Sequence, residues 1–151
     1  MKIKHKKKVA STNDWARDYA AGGGALPKAF RADEQTAGRG TRGNSWVSPP
    51  GWTYLSIAFT PPAKEATELT LLVAETLRDI LTKSAVGIYW VKPPNDVYRR
   101  DEKVAGILME QTKDALVIGI GIDHAPDELA RQVVDAVEDL YMRWLAGVIE
   151  E

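Results

Sequence analysis

Three strand-like segments, "GIYWVK" (87–92), "KVAGILME" (103–110) and "ALVIGIGI" (115–122), follow one another with only residues 93–102 and 111–114 between them. Neither gap has room for a crossover helix, so these strands are expected to pair antiparallel. Upstream, "KAFRADEQ" (28–35) alternates and "WTYLSIAF" (52–59) is aromatic and β-branched, so both read as strands. Residues 2–9 form a candidate first strand. Helices are expected at three places. Ser11 is placed to cap a helix over Thr12–Ala20, with Asp14 in its first turn and "AGGG" (21–24) as its stop. Residues 65–83 carry a stripe through Leu69, Leu72, Val73, Leu77 and Ile80. Asp127 to about Val148 repeats apolar residues at three- and four-residue intervals after Pro126. The expected fold is α+β: a mixed, largely antiparallel sheet with helices mainly on one face. No linker divides residues 1–151, so a single domain is expected.

Composition closes off several chemistries. There is no cysteine, which excludes disulfides, thiolate metal sites and a cysteine nucleophile. Two histidines, His5 and His124, do not make a multi-histidine metal centre. The net charge of -1 provides no general attraction to nucleic acid or membrane. No apolar run approaches membrane-spanning length, and the basic start "MKIKHKKKVAS" lacks a signal-peptide core, so a cytoplasmic location is expected. The lysines at 2, 4, 6, 7 and 8 suit either a guarded edge strand or a nucleic-acid arm.

The segment "AGRGTRGNSW" (37–46) has almost no residue that can pack into a core. Its glycines let backbone N–H groups approach an anion, Arg39 and Arg42 add forked donors, and Trp46 offers a flat face. It is not a Walker loop, because the Gly-Lys-Ser/Thr ending is missing. Nor is it a dinucleotide fingerprint, since "NSWVSPPG" cannot open a helix. A surface loop and a nucleotide-binding loop both remain open from this segment alone. "VKPPNDVY" (91–98) reads as a turn presenting Lys92, Asn95 and Asp96. Gly106 inside one strand, and Gly119 and Gly121 on one face of another, suit either a ligand slot or close packing against a helix.

Taken in order, "STN" (11–13), "EQTAGRGTRGNSW" (34–46), "SPPGWTYLS" (48–56), "KPPNDVY" (92–98), "KVAGILMEQ" (103–111) and "VIGIGID" (117–123) resemble the catalytic domain of biotin protein ligases. The resemblance runs from Ser11 to Asp123 and implies a fold shared with class II tRNA synthetases. It implies a two-step reaction: biotin and ATP, with Mg²⁺ as charge partner, give biotinyl-5′-AMP, and a lysine of a biotin carrier protein domain then takes the biotin. By the same resemblance Ser11, Thr12, Asn13, Gln35, Gly38, Arg39, Gly106 and Ile107 bind biotin. Arg39, Gly40, Thr41, Arg42, Trp46, Asn95, Lys103 and Asp123 border the adenylate, with Trp46 on adenine. Lys103, Arg39, Asn95 and Asp96 carry the catalysis. Edge-to-edge dimerisation is also implied, with "DALVIGIGI" (114–122) supplying the edge.

The chain departs from the family pattern at four places. Thr41 and Asn44 stand where loop arginines are usual, Pro93 replaces a tryptophan, and Asp123 replaces an asparagine. Two missing guanidiniums remove charge-assisted bonds worth about 1.5–3 kcal/mol each. Leaky release of the adenylate is therefore expected. The alternatives are a non-catalytic biotin- or adenylate-binding paralogue and a ligase for another acid such as lipoate. Neither a DNA-binding domain before the fold nor a small β-barrel after it is expected.

Overall fold

The computed structural model describes residues 1–46, 48, 50–84 and 87–149. Its elements are β1 (Ile3–Val9), α1 (Thr12–Ala21), β2 (Lys28–Gln35), a 3₁₀ turn (Thr41–Gly43), β3 (Trp52–Phe59), α2 (Leu69–Ser84), β4 (Tyr89–Lys92), β5 (Asp96–Arg99), β6 (Glu102–Gln111), β7 (Leu116–Asp123) and α3 (Asp127–Leu145). The strands form one seven-stranded sheet in the order β1-β2-β3-β7-β6-β5-β4. Among the described strands β1 and β2 pair parallel, joined by α1 as their crossover, and the other neighbours are antiparallel.

β3 shows how the layers divide. Leu55, Ile57 and Phe59 lie in the main core with α2 and α3, where Phe59 stacks on Tyr141 at 4.0 Å. The alternate residue Ala58 packs with Phe30 and Val117 against Ala16 and Ala20 of α1. Two helices thus cover one face and α1 part of the other, which leaves the rest of that second face open for a site.

Local chemistry explains the element ends. Ser11 Oγ accepts from Asp14 N–H at 3.2 Å, the expected cap of α1. α2 starts at Leu69, later than the stripe predicts. Glu65 Oε1 accepts from both the N–H and the hydroxyl of Thr67, a local turn that competes with helix. α3 stops at Leu145, short of Val148. Gly147 has φ +74°, its N–H reaches Trp144 O, and Val148 N–H reaches Arg143 O, a Schellman cap.

Two sequence expectations need correction. Residues 96–99 are a strand, not part of a turn. The turn proper is Pro93–Asn95, and Arg100, at φ 57°, begins the reversal into β6. The segment "DALVIGIGI" supplies no sheet edge: β7 is interior, paired with β3 on one side and β6 on the other. Its residues Leu116 to Ile122 are all buried, as a strand covered on both faces requires. The edges are β1 and β4. On β1, Lys6 lies 4.6 Å over the Trp15 ring, Lys4 5.4 Å over Tyr19, and His5 meets Asp33 at 3.0 Å. Among the described residues no helix is long and apolar enough to cross a membrane.

Candidate active site

The open face is built from strand residues that alternate with those of the main core. From β3 these are Tyr54 and Ser56, from β7 Gly119 and Gly121, and from β6 Gly106 and Glu110. α1 brings its N-terminus to this face, and the glycine-rich loop folds back over it. That loop closes on its own backbone rather than on a core. Trp46 N–H donates to Gly38 O at 2.9 Å, Gly40 N–H to Asn44 O at 2.7 Å, and Asn44 N–H to Thr41 O at 3.2 Å. Gly43 turns at φ +74°, which a side chain would resist.

Beneath the loop lies a polar slot of about 20 Å³, bordered by Ser11, Thr12, Asn13, Gln35, Arg39, Trp46 and Tyr54. Its hydrogen bonds are closely matched. Gln35 Oε1 accepts from Thr12 N–H at 2.8 Å and from the Thr12 hydroxyl at 3.1 Å. Gln35 Nε2 donates to Ser48 Oγ at 3.1 Å, and Ser48 donates to Trp46 O. Ser56, fully buried, donates to Asn13 Oδ1 at 2.5 Å and lies 2.7 Å from Thr12 Oγ1. Asn13 Nδ2 donates to Glu110 Oε1 at 2.9 Å. Arg39 reaches Asp14 and Glu110, each at 2.7 Å. Burial alone would lower the Arg39 pKa, but the two carboxylates outweigh it and raise it above its ordinary value. Burial pushes the Tyr54 phenol up to about 12, with a side-chain hydrogen bond between it and Ser48 working against the shift.

A second cavity of about 170 Å³ adjoins the first across Trp46. It is lined by Gly40, Thr41, Asn44, Asn95, Asp96, Lys103, Gly106 and Ile107. Lys103 Nζ pairs with Asp96 Oδ1 at 3.0 Å and sits 5.3 Å from the Trp46 ring centre. Asn95 is fixed by two bonds to Ile107, accepting its N–H at 2.9 Å and donating to its carbonyl at 3.2 Å. The glycines on β6 and β7 make room for protein groups. A Cβ on Gly121 would meet the Trp46 ring, one on Gly106 would come 3.3 Å from the same ring, and one on Gly119 would meet the Asn13 amide. Gly38 is needed too, since a Cβ there would come 2.7 Å from Trp46 O.

The structure therefore gathers nearly all the predicted residues into two adjoining cavities. Gly38 lies under the loop but lines neither cavity, and Asp123 lies elsewhere: it pairs with His124 at the end of β7 and borders a larger cleft, about 680 Å³, between α2, α3 and the sheet. That cleft holds none of the other predicted residues, so its size does not make it the site. The Arg42 side chain lies outside what the structure describes, and Val47 and Pro49 of the expected extended segment lie outside the described residues. Among the described residues, no three His, Asp or Glu side chains cluster as a metal cage. Sequence reading missed Glu110, Asp14, Ser48 and Ser56 as members of the site. A carboxylate ending the apolar run "KVAGILME" and a lone serine inside "WTYLSIAF" were the available signals.

The model of the biotin/lipoate A/B protein ligase family matches residues 27–123. The bifunctional ligase/repressor BirA of Escherichia coli is 41% identical over 113 residues, 69% of this chain and 35% of that protein. The biotin–[acetyl-CoA-carboxylase] ligase of Paracoccus denitrificans is 37% identical over 110 residues, 64% of this chain and 45% of that protein. This chain thus spans roughly a third to a half of the length of these relatives. The solved biotin protein ligase of Aquifex aeolicus in complex with biotin and ATP superposes with a TM-score of 0.82 at 25% identity, covering 95% of this chain and 72% of that one. The biotin protein ligase of Leishmania major in complex with biotinyl-5-AMP shares the fold, with a TM-score of 0.78 at 24% identity over 98% of this chain and 81% of that one. The family model spans β2 to β7, the strands that carry both cavities; the chain belongs to the biotin/lipoate A/B protein ligase family.

Proposed function

We propose that this chain activates biotin with ATP to biotinyl-5′-AMP and transfers the biotin to a lysine of a carrier protein domain. One observation carries the reading: a hydrogen-bonding slot under the loop shares the Trp46 wall with a cavity lined by Lys103. The first suits a small polar-ended ring and the second an anion. The Escherichia coli and Paracoccus denitrificans relatives carry the ligase name, and the Aquifex aeolicus protein was solved with biotin and ATP.

In the first step the biotin carboxylate oxygen attacks the α-phosphorus of ATP and pyrophosphate leaves. Ser11, Thr12, Asn13 and Gln35 hold the ring, and Gly38, Gly106 and Ile107 bring backbone close to it. Lys103 offsets the negative charge that builds between carboxylate and phosphate, where a fixed donor is worth most. Gly40, Thr41 and Trp46 border the nucleotide. Asp96 and Asn95, which line the cavity beside Lys103, are the oxygen donors that would hold Mg²⁺, and a bound Mg²⁺ would neutralise phosphate charge. In the second step the carrier amine attacks the acyl carbon, AMP leaves with the bonding pair, and the amine loses a proton. ATP and carrier meet in the cytoplasm, the location this reading implies.

A slot of about 20 Å³ holds no more than a water, so a ring enters only if a wall moves. Trp46, on the loop and lining both cavities, is that wall. A non-catalytic adenylate binder is the second reading, favoured by the uncharged Thr41 and Asn44 in the second cavity. Biotin-dependent ATP–pyrophosphate exchange separates the two. Exchange that needs biotin supports ligation, and binding without exchange supports the second reading.

A further inference from the structure

We propose that Glu110, with Asp14 and Arg17, is a positioning group that clasps Arg39 before any ligand arrives, fixing the loop and the Asn13 amide together. The geometry is a closed square of alternating charge. Arg39 contacts Asp14 and Glu110 at 2.7 Å each, and Arg17 lies 3.6 Å from Asp14 and 3.7 Å from Glu110. The four groups come from three separate parts of the fold: α1, β6 and the loop. Bonds of this length between ionised partners are the stronger kind.

Glu110 Oε1 has a second duty. It accepts from Asn13 Nδ2 at 2.9 Å as well as from Arg39. An amide with its N–H₂ committed there must turn Oδ1 the other way, and it meets the Ser56 hydroxyl. A single carboxylate oxygen thus sets both the guanidinium at one wall of the slot and the polarity of the amide at another.

The clasp changes the part given to Arg39. Both terminal nitrogens face carboxylates, and Arg39 does not line the cavity that holds Lys103 and Asp96. Arg39 is then a strut of the ring slot, and among the described side chains Lys103 is left as the cation for the phosphates. The statement about biotin rests on the function proposed above, whereas the clasp itself does not.

Limited trypsin digestion of the protein without ligand tests the clasp directly, with cleavage after Arg39 followed by mass spectrometry. Glu110→Gln and Asp14→Asn are each expected to speed that cut about tenfold or more, while both variants keep the wild-type circular dichroism. Equal rates in the wild type and both variants would overturn the proposal. Pyrophosphate exchange provides the second readout. Glu110→Gln should raise KM for biotin about tenfold to a hundredfold, the scale of one hydrogen bond to a charged group, with kcat within about threefold. A loss confined to kcat would overturn the positioning role. If no exchange occurs in any form yet the apo cleavage rates separate, the ligase reading fails and the clasp stands.

Discussion

The Trp46 indole occupies the space over Gly121 that a side chain would fill, with Cζ2 2.8 Å from where a Cβ would stand. Trp46 also meets Trp52 and Tyr54 edge-on, at centroid distances of 6.1 and 6.3 Å. The loop is therefore seated on the sheet by one aromatic ring, and a glycine makes the seat.

Two glycines on that one face of β7 should respond differently to the same substitution. At Gly121 the neighbour is a ring on a loop, which can swing aside. Gly121→Ala should cost under about 1 kcal/mol of stability but displace Trp46 and weaken nucleotide binding. At Gly119 the neighbour is the Asn13 amide, 2.8 Å away at Cγ and tied to both Ser56 and Glu110. Gly119→Ala should cost about 2–3 kcal/mol, because it breaks buried hydrogen bonds. Urea denaturation measures both, and equal losses would mean that Trp46 is held as firmly as Asn13.

Lys103 and Asp96 make a separable pair. Lys103→Gln should slow pyrophosphate exchange by about 10²–10³ while changing biotin affinity little, since it removes a fixed charge at the reacting centre. Asp96→Asn leaves the Lys103 charge in place but removes the carboxylate beside it, so it should slow exchange by less than Lys103→Gln and lower carrier labelling in the same proportion. Exchange rates beside a carrier-labelling assay decide it, and an undiminished exchange rate in Lys103→Gln would remove Lys103 from the chemistry.

What the sequence made legible was whatever depends on neighbours along the chain. β2 and β3 match their expected bounds, and Ser11 caps α1 through Asp14, because alternation and capping are local signals. β5 was not legible: four residues behind a double proline carry no period, and only pairing with β4 and β6 makes them a strand. Glu110 stayed hidden for the same reason. Its partners Asn13 and Arg39 are 97 and 71 residues away, and no local pattern brings them together.

Stability should fall at high pH through Tyr54. Its folded pKa of about 12 lies above the ordinary phenol value of 10.0. The folded state keeps a proton that the unfolded chain releases, so the contribution is whole below pH 10 and is lost as pH rises toward 12. Tyr141 is shifted the same way by burial and adds to the slope. Tyr54→Phe should be less sensitive than the wild type between pH 10 and 12, by about 2 kcal/mol for a phenol this buried. Denaturation midpoints across that range supply the comparison, and parallel curves for the two proteins would contradict it.

Thr41 and Asn44 line the cavity that holds Lys103, yet neither brings a charge to it. Their backbones close the loop, through Asn44 N–H to Thr41 O and Gly40 N–H to Asn44 O, so the loop keeps its shape without the arginines usual there. Among the described side chains, the loop brings no cation into that cavity. Biotinyl-5′-AMP should escape before a carrier arrives, and bystander proteins should be labelled beside the carrier domain. Thr41→Arg with Asn44→Arg should restore retention and cut bystander labelling about tenfold to a hundredfold, since each guanidinium–phosphate bond acts mainly on the release rate. The assay is labelling of an unrelated lysine-rich protein against a carrier domain in one tube. Carrier-only labelling by the unmodified chain would show that Lys103 and the closed loop suffice to hold the intermediate.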